Sequence, residues 1–167
     1  MLKILRYDRA QATNYAIKYA KQRNPSYFDY TNFGGNCTNY VSQCLFAGAP
    51  VMNYSPNGWF YSSPESTSYS WANVEPLYNF LMSNKGVGVF GSNSPLDMCE
   101  VGDVIQLKFK HKNIFSHCLF VSKVNHASAN GIYVCANTRD VLNVPLSSFM
   151  YKEMRLIHIL GYRKYDL

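Results

Sequence analysis

The sequence predicts an α+β domain in which helices from the N-terminal half pack on an antiparallel sheet drawn from the C-terminal half. Two patterns carry this expectation. Up to about residue 82, apolar and small residues recur at helical spacing; after Leu96, short runs rich in β-branched and aromatic residues take over. At 167 residues the chain suits one domain, 1–167, large enough to bury a core without disulfides or metal.

Over 8–22, Ala12, Tyr15, Ala16, Tyr19 and Ala20 share one face of a predicted helix, which Asn24-Pro25 ends. Residues 26–33 show no period and read as a loop leading to the Gly34-Gly35 turn. A second helix then starts at Cys37. Val41, Cys44 and Leu45 follow the thiol at spacings of four, seven and eight, and Gly48 and Pro50 stop the helix. Residues 51–70, rich in Ser, Pro, Asn and Tyr, form a long irregular loop, either a binding loop or a structural excursion. Trp71, Val74, Leu77, Tyr78 and Leu81 give a third helix over 71–82, ended by Gly86 and Gly88. Strands are expected over 103–109, 116–124, 131–137 and 154–162. With the middle two paired around a loop centred on Ala127, Val121 falls opposite Tyr133, Leu119 opposite Cys135, and His117 opposite Asn137.

A hydrophobic share of 47% with 16% charged residues argues against disorder. Most of the 14 Tyr and 10 Phe suit core and sheet packing, while Trp59, Tyr61 and Trp71 are candidates for an aromatic binding groove. The net charge of +6 suits an anionic partner, but its lysines and arginines are scattered. The densest cluster, Lys108-Phe109-Lys110-His111-Lys112, reads as a solvated strand-end loop or a substrate rim, and nucleic-acid binding is not expected. The N-terminus is too short in apolar residues for a signal peptide, its starting Met suggests a chain made without a leader, and no stretch reaches membrane-span length, so a soluble chain is expected. The five cysteines, 37, 44, 99, 118 and 135, include no Cys-x-x-Cys pair, so neither a disulfide framework, a metal site nor a cofactor is expected. Cys44, Cys118 and Cys135 read as buried apolar thiols.

Cys37 differs from these by its glycine-rich, polar surroundings. With Asn36 as N-cap it occupies the first turn of a helix, where unpaired amides and the helix dipole favour a thiolate and can bind an oxyanion. A cysteine nucleophile needs a base and a group that orients it. Of four histidines, His111 and His126 fall in loops and His158, between Ile157 and Ile159, reads as structural. His117 opens an apolar strand and is the candidate base, with Asn137 as its orienter and Asp140 as the substitute.

These residues resemble the putative amidase domain family of the papain-like fold, related to the NlpC-type cell-wall cysteine hydrolases. The matching stretches are Tyr7-Asp8-Arg9, Gly34-Gly35-Asn36-Cys37-Thr38-Asn39-Tyr40-Val41-Ser42-Gln43-Cys44, Gly58-Trp59, Ser70-Trp71, Gly102-Asp103-Val104-Ile105-Gln106, Ser116-His117 and Asn137-Thr138-Arg139-Asp140. The resemblance implies a helix-tip nucleophile against an antiparallel sheet that supplies the base, acting on peptide-like or peptidoglycan-like amides. The chain departs from the family pattern at two positions, Asn36 in place of Asp and Asn137 in place of His. Asn36 keeps the capping role without a negative charge beside the thiol, and Asn137 matches the orienting residue of papain-like proteases. Either altered substrate choice or a retired enzyme, a module binding peptide or glycan in the aromatic groove, is compatible with both changes.

Overall fold

In a computed structural model describing residues 1–167, strand β1 (Leu2–Leu5) opens the chain and helix α1 (Arg9–Tyr19) follows it. Asp8 caps α1, accepting the Gln11 N–H at 3.0 Å, and its small face buries Ala12 and Ala16 as the spacing predicts. Helix α2 (Cys37–Gly48) is buried along almost its whole length and packs on α1 through Tyr40, whose hydroxyl donates to the Ala16 carbonyl at 2.6 Å. The 51–70 loop contains a small hairpin, β2 (Tyr61–Ser63) with β3 (Ser66–Thr67). The expected third helix is two pieces, α3 (Tyr69–Ala72) and α4 (Val74–Ser83), broken by extended backbone at Asn73. No helix is long and apolar enough to cross a membrane.

The remaining strands are β4 (Gly88–Ser94), β5 (Val104–Phe109), β6 (His117–Val124), β7 (Ile132–Ala136), β8 (Val141–Pro145) and β9 (Tyr151–Tyr165). All pairings in the main sheet are antiparallel, in the order β1-β9-β5-β6-β7-β8, with β4 also on β9. Four of these strands cover the expected runs; β1, β4 and β8 are additional. The architecture is therefore α+β, with helices against an antiparallel sheet.

Alternation of side chains gives the sheet two different faces. One carries Val104, Cys118, Phe120, Cys135, Ile157 and Ile159 and packs on α1 and α2, together with Trp59, Trp71 and Leu77. The other carries Ile105, Leu107, Leu119, Val121, Val134 and Leu156 and is covered by two short 3-10 turns, Leu96–Met98 and Leu146–Ser148.

The register between β6 and β7 differs from the expected one. Phe120 pairs with Cys135 and Val121 with Val134, one residue away from the expected partners, and an irregularity between Val121 and Lys123 shifts the ladder again. A slip of one residue turns every side chain to the opposite face. His117 is therefore not opposite Asn137, which lies beyond the end of β7.

Candidate active site

Cys37 occupies the first residue of α2, as expected, with 8% of its surface exposed, whereas Cys44, Cys118 and Cys135 are at 0%. Gly34 and Gly35 lead into it with φ of +95° and +104°, and a side chain at Gly35 would meet the Thr138 hydroxyl at 3.3 Å. That hydroxyl accepts the Asn36 N–H at 2.8 Å. Thr138 has φ of 86°, a costly conformation for a β-branched residue, so the contact fixes a strained turn beside the thiol.

Asn36 stands at the N-cap position without capping: its side chain makes no bond to the helix amides. Its Oδ1 instead accepts the Tyr30 N–H (2.9 Å) and the Asn39 amide (2.8 Å), and its Nδ2 donates to Asn137 Oδ1 at 2.9 Å. Asn137 in turn donates to the Ala20 carbonyl at 3.1 Å, while Asn39 donates to the Phe28 carbonyl and accepts the Trp71 indole N–H at 2.9 Å. A buried amide chain thus runs from Trp71 through Asn39 and Asn36 to Asn137. It leaves the first-turn amides of α2 free of the Asn36 side chain, which is where an oxyanion would need donors.

The thiol itself is not poised as a thiolate in this state. Burial pushes Cys37 above its ordinary pKa, opposed by the Cys118 backbone amide, the Thr38 hydroxyl at 3.8 Å from the sulfur, and the amides of Thr38 and Cys37.

His117 pairs with Leu107 and shares its face, the one turned away from α2. Its ring lies between Phe109 and Phe149, with ring centroids 5.8 and 5.9 Å away. Burial, with help from the Lys112 charge, lowers its pKa to about 4, so the ring is neutral at neutral pH. Neither expected orienter reaches it. Asn137 is bonded to Asn36 and Ala20, and both Asp140 oxygens accept from Arg23 at 3.0 and 3.1 Å. The structure brings Cys37, Asn36 and Asn137 together and holds His117 across the sheet from them.

The aromatic groove is also corrected. Trp59 and Trp71 are 0% exposed and packed against each other, with centroids 4.8 Å apart and ring planes tilted by 34°. Both indoles bury because their N–H groups find partners, Trp59 on the Ser42 hydroxyl at 3.0 Å and Trp71 on Asn39. Tyr61 is half-buried beside Tyr27 and donates nothing to a groove; its hydroxyl accepts the Phe28 N–H. An open cleft of about 560 Å³ lies instead outside them, lined by Asn57, Phe60, Thr67, Ser68, Tyr69 and Asn79 among others. Asn39, Thr138 and Tyr30, none of them singled out as candidates in the sequence, join the candidate site through hydrogen bonds to Asn36; the first two stand inside the motifs that flank Cys37 and Asn137. His158 is structural as expected, its Nδ1 lying 2.8 Å from the buried Asp103 carboxylate, which Arg9 also holds at 2.8 Å.

Comparison with known families places this geometry in context. The family model described as "Putative amidase domain" matches residues 6–160. The chain belongs to that family. Membership points to a hydrolase acting on amide bonds. The chain is also 38% identical over 119 residues to the Bacillus subtilis (strain 168) protein named "Uncharacterized protein YhbB", covering 69% of this chain and 37% of that protein. This chain therefore spans well under half the length of that relative. No solved structure matches the chain.

Proposed function

We propose that the domain hydrolyses peptide-like amide bonds with Cys37 as nucleophile and His117 as general base. One observation carries this reading: the only cysteine at a helix N-terminus has the backbone amides of Cys118 and Thr38 acting on its sulfur. Those amides favour the thiolate and suit a developing oxyanion. His117 directly precedes Cys118 in the strand and is a neutral imidazole able to take the thiol proton. Its ring must leave the Phe109 and Phe149 rings and pass the strand end to do so. The thiolate then attacks the carbonyl carbon, the imidazolium protonates the departing amine, and water hydrolyses the thioester with His117 as base. Asn137 acts as a positioning residue for the Asn36 turn instead of an orienter of the imidazole.

The net charge of +6 and the resemblance to papain-like, NlpC-type cell-wall hydrolases support the peptide stems of bacterial peptidoglycan as substrate. The test is release of new amines from peptidoglycan. Cys37→Ala and His117→Ala are each expected to abolish release while the melting temperature holds. Wild-type turnover in Cys37→Ala would overturn the thiol mechanism, and wild-type turnover in His117→Ala would overturn the choice of base.

A second reading is favoured by the separation of Cys37 from His117 and by the uncharged cleft beside Tyr69: a catalytically idle module that binds peptide or glycan. It predicts no amine release by the wild type and ligand binding unchanged by Cys37→Ser.

A further inference from the structure

The lysine cluster of the β5–β6 loop is used by neither reading. Residues 110–114 are all exposed, and Ile114 presents 68% of its surface to solvent. The start of β9 lies beside this loop: Tyr151 pairs with Phe109, and the Lys152 ammonium donates to Asn113 Oδ1 at 3.4 Å. Those two contacts bring Met150, 74% exposed, to the same end of the sheet as Ile114. Lys108 is neutralised by Glu153 at 2.9 Å, but Lys110, Lys112 and Lys152 enter no ion pair. The result is a tip at the sheet end that carries two exposed apolar side chains and three ammonium groups in no ion pair, with His111 stacked on Phe109.

We propose that this tip docks the domain on an anionic lipid surface, with the lysines on the headgroups and Ile114 and Met150 at the acyl boundary. Charge complementarity selects an anionic partner, because the only carboxylate shown at the tip, Glu153, is already occupied by Lys108. The apolar tips select lipid over a soluble polyanion. A charged polymer offers Ile114 and Met150 no apolar phase, whereas an interfacial site pairs basic and apolar groups in this manner. The tip immediately precedes His117 in the chain, so docking sets that edge of the sheet against the surface.

Sedimentation of the whole chain with vesicles tests this. Vesicles of equal parts phosphatidylglycerol and phosphatidylcholine are expected to bind it, and pure phosphatidylcholine vesicles are not. Lys110→Glu with Lys112→Glu is expected to weaken anionic-vesicle binding by at least about tenfold, given the worth of each lysine near such a surface. Ile114→Ser with Met150→Ser is expected to weaken it severalfold without changing retention on immobilised polyglutamate. All four positions are exposed, and the melting temperature checks that the fold is intact. Anionic-vesicle binding that is absent in the wild type, or equal in the charge-reversed variant, overturns the proposal. So does binding that ignores the Ser pair and is matched by polyglutamate, which would make the tip a polyanion site.

Discussion

The two faces of the central sheet differ in what they do to a polar residue. On the α2 face, Asn36, Asn39 and Asn137 are buried but satisfied, each linked to the next and to a backbone carbonyl or amide. On the opposite face His117 sits among Phe109, Phe149 and Leu107, and burial answers with a pKa near 4. One face stabilises polar groups by hydrogen bonding and so fixes the turn that holds Cys37. The other suppresses charge by desolvation and so keeps the His117 imidazole uncharged.

Breaking the hydrogen-bonded face should have the largest effect. Asn36→Ala removes the donor to Asn137 and the acceptor for Tyr30 and Asn39, leaving several buried or half-buried groups unpaired. A loss of about 4 kcal/mol is expected in urea denaturation, since each unsatisfied group costs about 1–3 kcal/mol. A loss below about 1 kcal/mol would mean that water replaces the chain and that the face is not rigid.

The opposite face should reveal itself through pH. The folded pKa of His117, about 4, lies below the ordinary 6.5, so the unfolded chain binds more protons between those values. Stability is therefore full above 6.5 and falls as pH drops towards 4. The gap corresponds to at most about 3 kcal/mol. His117→Gln removes that slope, read as the difference between the two proteins' denaturation midpoints across the window. Parallel curves would show that His117 is solvated.

Much of this architecture is legible in the sequence, and the failures have physical causes. Helix α2 is announced by the spacing of Val41, Cys44 and Leu45, and His158 by its apolar neighbours. Strand β4 is hidden because Gly91 is required by close approach: a side chain there would lie 2.7 Å from the His158 carbonyl, so the strand lacks a β-rich pattern. The face of His117 depends on the 125–131 turn. Gly131 packs against His126, where a side chain would lie 2.4 Å from its carbonyl oxygen, and the irregularity at Ser122 moves the register by one more residue. Neither event has a period to betray it, and with a side-chain repeat of two a single residue decides the face. The burial of the tryptophans is hidden for a different reason. Their partners, Ser42 and Asn39, lie on α2, beyond any local pattern.

A milder change sharpens the contrast on the His117 side. Phe149→Ala opens one wall of the aromatic clamp, and a cost of about 2 kcal/mol is expected for a half-buried ring. The His117 pKa should rise from about 4 towards 6.5, followed by NMR of the ring protons. If the proposed base swings over the strand end, the same variant labels faster at Cys37 with iodoacetamide, while Cys44, Cys118 and Cys135 stay protected. An unchanged labelling rate would mean that the clamp does not restrain the base.

The smallest energetic effect is expected for a paired exchange at Asn36 and Asn137, because the two side chains touch each other: Asn36 Nδ2 to Asn137 Oδ1, 2.9 Å. Asn36→Asp alone sets a carboxylate against that carbonyl oxygen, and flipping the Asn137 amide would take its donor from Ala20. Adding Asn137→His supplies a donor and a compensating charge. The double variant should lie within about 1 kcal/mol of the wild type, since a buried ion pair roughly offsets its own desolvation, while the cycle shows favourable coupling. Its activity decides more than its stability. If turnover rises and survives His117→Ala in the same background, the working base belongs on the Cys37 face at position 137, and the imidazole between Phe109 and Phe149 is structural. If turnover still vanishes with His117→Ala, the two faces must communicate across the strand end during each cycle.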